Sequence, residues 1–299
     1  MRVSLGLPTH LVDRGAEFIS ADAIETIATA AEQAGFDAVF VTDHPYPPIE
    51  WLRHGGHHTL DPLVALSFAA AATTTLRLQT NLYVPAYRDP YISAKAISTL
   101  DVLSGGRVIL GVGAGYLEAE FAALGADFDS RNDALDQALV AMKAAWTGEV
   151  VDGHVMRPVP AQRPHPPIWI GGNSKRAIRR AVDLGDGWVP MPSPAKASGA
   201  LKTPGIESLA ELATRIAYMT EYAASVGRPL PRDIAFMPSG LDMFAASSVE
   251  ASVVVDGIAE MAEVGVTYAT VSLPCDLRSE LLDAIELFAS DVLPKVEGL

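Results

Sequence analysis

The sequence predicts an α/β fold, a single (β/α)8 TIM barrel over residues 1–299 with insertions after strands 4 and 6. Three observations carry this reading. Short Val/Ile/Leu-rich runs alternate with amphipathic stretches along almost the whole chain, the pattern of βαβ units feeding one parallel sheet. The strand-like runs number eight, each followed by a helical signal. No tandem repeat or low-complexity linker divides the 299 residues, a length that one α/β barrel readily occupies.

Strands are expected at 3–7, 38–41, 77–84, 108–112, 168–170, 187–189, 234–237 and 268–272. After the first, Ser20 is placed to cap a helix whose Ile24, Ile27, Ala28 and Ala31 share one face, with Gly35 as its stop. A hydroxyl there satisfies N–H groups that the first turn leaves unpaired, and glycine tolerates the left-handed terminus. Asp61-Pro62 and Asp89-Pro90 each set a carboxylate cap before a proline, which lacks the N–H that a first helical position cannot pair. Further helices are expected over 131–146, 175–184, 207–224, 249–264 and 277–288, and Ser247 with Glu250 gives the 249–264 helix a capping box. Two segments exceed the rhythm. Residues 149–167 hold Asp152-Gly153, which suits a tight hairpin, and five prolines that make a rigid return; residues 191–205 are rich in Pro, Ser, Ala and Gly. Both are read as insertions or lids.

Composition bounds the partners. With 49% hydrophobic and 19% charged residues the chain supports a sizeable core. Its net charge of −14 repels nucleic acid and anionic membrane surfaces, so an anionic ligand needs local donors. Cys275 is the only cysteine, which excludes an internal disulfide and a cysteine zinc cage, and reads as a small buried hydrophobe. The apolar run after Arg2 meets Pro8 too early for a secretory signal, and a cytoplasmic location is expected. The apolar stretch 63–72 contains Ser67 and falls well short of the roughly 18 residues a membrane span needs.

In a barrel of this kind the chemistry sits just after the strands. Thr42-Asp43-His44 follows strand 2 and opens a loop with Trp51, His54, His57 and His58. An imidazole fixed at a strand end can move a proton near neutral pH, and Asp43 can either orient it or cap the turn. The three loop histidines lack the rigid spacing of a metal site, so no metal is expected and they are read as solvated or substrate-facing. After strand 4, Gly111, Gly113 and Gly115 precede Tyr116 and Glu118. Alternate glycines either let a flat ligand or phosphate touch backbone or relieve crowding in the barrel. Gly171-Gly172-Asn173-Ser174 opens a helix after strand 5, where N–H groups at the positive helix end can cradle a phosphate.

Thr42-Asp43-His44, Thr80-Asn81, Ser104-Gly105-Gly106-Arg107 running into GVGAGY, Pro166-Pro167-Ile168-Trp169-Ile170-Gly171-Gly172 and Gly185-Asp186-Gly187-Trp188 together resemble the bacterial luciferase-like family. The resemblance covers nearly the whole chain and is closest to the branch using the deazaflavin coenzyme F420 rather than FMN. It implies a cofactor ring over the strand ends, with its phosphate near the helix after strand 5, held by Gly171, Gly172, Asn173 and Ser174. It implies a non-prolyl cis peptide behind the ring, matching Asn81-Leu82, with Asp43, Gly113, Gly115 and Tyr116 also on the cofactor side. His44 matches a histidine near the reactive carbon in several deazaflavin enzymes.

The chain departs from the sugar-phosphate dehydrogenase branch at two places. Tyr116 stands where that branch has an acid, and Glu118 in the next turn either supplies that acid or is a solvated helix-start carboxylate. Pro48 stands where it has a tryptophan, with Trp51 later. The function implied is hydride transfer between F420 and a small organic substrate, with His44 and Tyr116 catalytic and Trp51, His57, His58 and Glu118 on the substrate side. An FMN-dependent monooxygenase and a non-catalytic cofactor-binding protein are the alternatives, a metal-dependent barrel hydrolase is a third, and a homodimer is the family's expectation.

Overall fold

The computed structural model describes residues 1–238 and 250–299. Among them, eight parallel strands close into a barrel in sequence order: β1 (Arg2–Gly6), β2 (Ala38–Val41), β3 (Arg77–Tyr83), β4 (Val108–Val112), β5 (Ile168–Gly171), β6 (Gly187–Val189), β7 (Asp233–Phe236) and β8 (Tyr268–Val271). Pairing of Arg2 with Tyr268 through Leu5 with Val271 shuts the ring. The helices are α1 (Ala21–Ala34), α2 (Ile49–Arg53), α3 (Pro62–Ala72), α4 (Pro90–Leu103), α5 (Glu118–Ala123), α6 (Arg131–Trp146), α7 (Lys175–Leu184), α8 (Ser198–Leu201), α9 (Leu209–Val226), α10 (Ala251–Glu263), α11 (Arg278–Asp291) and α12 (Leu293–Val296).

The expected caps form. Ser20 accepts from the N–H of Ala23 and Gly35 closes α1 at φ 92°. Asp61 accepts from Leu63 and Val64, and Asp89 from Tyr91 and Ile92. The helix expected from residue 207 starts at Leu209 instead, because Ser208 accepts from the N–H of Glu211 and sets the boundary. Ser247 of the expected capping box lies outside the described residues; α10 starts at Ala251 after Glu250. The short helices α2, α5, α8 and α12 are not among the expected ones, since four to six residues show too little of a 3.6-residue period to be seen.

Strand side chains alternate between two apolar layers. Val39, Val41, Leu78, Leu110, Ile168 and Ile170 pack with helix residues such as Ile27, Leu66, Ile97 and Leu139. The other set, Ala38, Ile109, Trp169, Val189, Ala235 and Tyr268, forms a separate cluster with Leu82 against it. At the amino ends of the strands Arg2 pairs with Asp233 and covers the Tyr268 ring at 5.0 Å, while the Tyr268 hydroxyl donates to Asp37. That end is sealed by side chains, and the loops at the opposite end carry the candidate chemistry.

Both insertions take the expected positions. Val151 and His154 bridge across a two-residue turn with Asp152 at φ 49° and Gly153 at φ 80°. Residues 191–205 fold back through an antiparallel bridge between Ser193 and Ile206. Among the described residues no helix is long and apolar enough to cross a membrane.

Candidate active site

Three consecutive βα loops converge on His44. It leaves the end of β2 with its Nδ1 3.2 Å from Glu120 Oε2. Glu120, on α5 after β4, is fully buried and also accepts from the N–H of Tyr46 at 3.0 Å and the hydroxyl of Tyr87 at 2.9 Å. Burial pushes the Glu120 carboxyl up, but the His44 ring, the Tyr46 N–H and the Tyr87 hydroxyl more than offset this and hold it below the usual carboxylate range. Asp43 faces elsewhere: its carboxylate takes both Arg88 Nη atoms at 2.7 and 2.8 Å and the Val84 N–H at 2.9 Å. Asp43 therefore ties the β2 loop to the β3 loop, and the partner of His44 is Glu120.

An aromatic wall surrounds the imidazole. Its ring lies 4.5 Å from Trp51, 5.1 Å from His57 and 6.0 Å from Tyr116, the last two edge-on. The single turn of α2 brings Trp51 back over His44, which the linear spacing after Pro48 conceals. His57 Nε2 lies 3.0 Å from Thr42 Oγ1. Burial, and then the imidazoles of His44, His10 and His58, pull the His57 pKa down to about 3, so its ring is neutral at pH 7. Burial and the charge of Glu120 push the Tyr116 hydroxyl up, keeping it a donor. His58 and Glu118 are exposed, apart from these ring contacts. Sequence reasoning missed Glu120 and Tyr87. One signal was available for Glu120: it shares a helix face with Leu117, Phe121 and Leu124, whereas Glu118 points away.

Beside the wall, the Asn81-Leu82 peptide is cis and the β3–β4 register shifts between Thr80 and Tyr83. Leu82 then packs over glycine backbone from two neighbouring strands. A Cβ on Gly171 would fall 1.9 Å from Leu82 Cδ1, and one on Gly113 would fall 3.2 Å from the same atom. Leu82 thus fills the space beside both glycines.

At the helix start after β5, Gly172 N–H donates to Val189 O and Asn173 N–H to Thr203 Oγ1. The buried Asn173 amide donates to Met191 O and Pro204 O and accepts from Met191 N–H, fastening the 191–205 segment. Ser174 caps α7 through the Ala177 N–H. Two buried polar atoms around this clamp lack a partner: Ser193 Oγ, and Nε of Arg215, whose Nη atoms hold Asn173 O and Gly205 O. Among the described residues no group of three or more His, Cys, Asp or Glu is arranged to hold a metal ion.

Comparison with known proteins gives a consistent lineage. The family profile described as luciferase-like monooxygenase matches residues 1–270. An uncharacterised protein of Mycobacterium tuberculosis is 34% identical over 189 residues, 55% of this chain and 66% of that one. An F420-dependent glucose-6-phosphate dehydrogenase of Beutenbergia cavernae is 37% identical over 169 residues, 53% of this chain and 49% of the relative. The matches thus span about half to two thirds of the curated relatives' length. In fold, the chain superposes on a monooxygenase from Streptomyces bottropensis with TM-score 0.75 at 22% identity, covering 98% of this chain and 99% of that one. It superposes on an F420-dependent secondary alcohol dehydrogenase, solved with an F420–acetone adduct, with TM-score 0.73 at 18% identity and 99% coverage of each chain.

Proposed function

Because the chain belongs to the luciferase-like monooxygenase family, we propose that it is an F420-dependent oxidoreductase, residues 1–299 acting as one barrel unit, that interconverts a small alcohol and its carbonyl. The observation that carries this reading is His44, seated at a strand end inside the wall of Trp51, His57 and Tyr116. Relatives named as F420-dependent dehydrogenases of a sugar phosphate and of hydroxymycolic acid support an alcohol carbon as the reacting centre.

The residues present suit a planar cofactor with an anionic tail. Leu82 and the glycine backbones of β4 and β5 offer the ring a flat apolar support. Ser193 Oγ and Arg215 Nε, buried without partners, are donors that an anionic tail would satisfy. Bound deazaflavin supplies the carbon that takes or gives a hydride. The chain's own residues do the rest. His44 takes the proton of the substrate O–H, while the C–H bond leaves with its electron pair as hydride and C=O forms; the reverse reaction returns both. Tyr116 stays protonated and donates a hydrogen bond, and Trp51 and His57 narrow the mouth and exclude water.

Separate titrations with F420 and FMN, followed by single-turnover reduction of F420 by a panel of secondary alcohols, test the proposal. F420 is expected to bind in preference to FMN, and His44→Ala to slow hydride transfer by roughly 10²- to 10⁴-fold. Binding of FMN alone, with oxygen consumed on reduction, would turn the assignment to a monooxygenase. Binding without any substrate-dependent redox change would make the protein a carrier or sensor.

A further inference from the structure

Glu120 links three loops that the barrel brings together, and its chemistry reaches beyond packing. Its Oε1 accepts the Tyr46 N–H, and its Oε2 faces both the His44 ring and the Tyr87 hydroxyl. An ionised carboxylate only accepts, so the imidazole nitrogen facing it must carry hydrogen. We propose that Glu120 is a positioning residue that fixes His44 as the Nδ1–H tautomer, leaves the lone pair on Nε2 for the substrate proton, and stabilises the imidazolium once that proton arrives.

Neighbouring groups leave the charge to this pair. Around His44 stand Trp51 and His57 from the loop after β2, Tyr116 from the loop after β4, and Glu120 from α5 with Tyr87 behind it. His10 and His58 flank His57, whose ring stays neutral. Burial and Glu120 keep both phenols protonated. The adjacent Asp43 is neutralised by Arg88. A proton entering this wall thus meets one buried carboxylate not already paired with a cation, and that carboxylate touches His44.

The inference rests on the reading of His44 as the proton-exchanging group, and the test separates the two. In Glu120→Gln, single-turnover hydride transfer is expected to fall roughly 10- to 100-fold with F420 affinity held within about twofold, because the carboxylate is fully buried and engaged by His44, Tyr46 and Tyr87. The acidic limb of its pH–rate profile should move to lower pH by about one unit, since removal of a negative neighbour makes protonation of the ring harder. Tyr87→Phe should move that limb the other way by a few tenths of a unit, because loss of one donor leaves the carboxylate freer to hold the imidazolium. A merely structural role moves neither limb.

Independently of any cofactor, ring-nitrogen NMR of the protein alone is expected to show the Nδ1–H tautomer in the wild type and a lower titration midpoint in Glu120→Gln. Glu120→Asp serves if the Gln variant does not fold, with a smaller change of the same sign. An Nε2–H tautomer in the wild type, or a titration unchanged by the Glu120 variants, overturns the inference. Full hydride transfer in His44→Ala would instead overturn the reading beneath it.

Discussion

His57 couples the site to pH. Its pKa is held at about 3, so the folded protein keeps the ring neutral where the unfolded chain binds a proton near 6.5. This contribution to stability is whole above about pH 6.5 and is lost as pH falls toward 3. Between pH 7 and pH 5 the wild type should lose about 2 kcal/mol more than His57→Gln, measured by urea unfolding at the two pH values. Equal losses would show that the His57 ring is protonated in the fold. Residues at this scale were unevenly legible. His44 was visible because it follows a strand end directly, while Glu120 was hidden beside Glu118, two carboxylates in one short helix that composition cannot tell apart. Asp43 was legible as a site neighbour, but its partner Arg88 lies 45 positions away, beyond any local spacing rule.

Elements explain why two strands carry glycine where a bulge approaches. Leu82 occupies the space that a Cβ on Gly171 would need, and it presses on Gly111 of β4 and Gly113 just after it as well. Gly171→Ala should therefore destabilise the protein by about 1–3 kcal/mol, the range for an overpacked core site. Because the obstacle is the Leu82 side chain, Leu82→Ala combined with Gly171→Ala should be less destabilising than the sum of the two single changes, with a coupling of at least about 0.5 kcal/mol. Thermal or urea unfolding of the four-variant cycle measures this, and simple additivity would mean that Leu82 and Gly171 do not share that space. The helix boundaries were legible for a related reason: Ser20, Asp61, Asp89 and Ser174 each act through N–H groups two or three residues away. The Asn173 clamp on residues 191–205 was not, since its partners Met191 and Pro204 lie 18 and 31 positions along.

The whole molecule sets a long-range field against its proposed cofactor. A net charge of −14 opposes an anionic tail, so binding must depend on donors gathered locally around Asn173 and on the apolar floor at Leu82. The barrel was legible as a whole because its eight strands each announce a helix, and a closed ring in sequence order is the arrangement that satisfies them all. The proposed function turns on the hydride. The most direct measurement is isotope transfer: F420 incubated with the protein and a secondary alcohol deuterated at its carbinol carbon. Deuterium is expected in the reduced deazaflavin, with the matching ketone formed in equal amount. Absence of deuterium from the deazaflavin across the alcohol panel, or oxygen appearing in the substrate with FMN, would contradict the account.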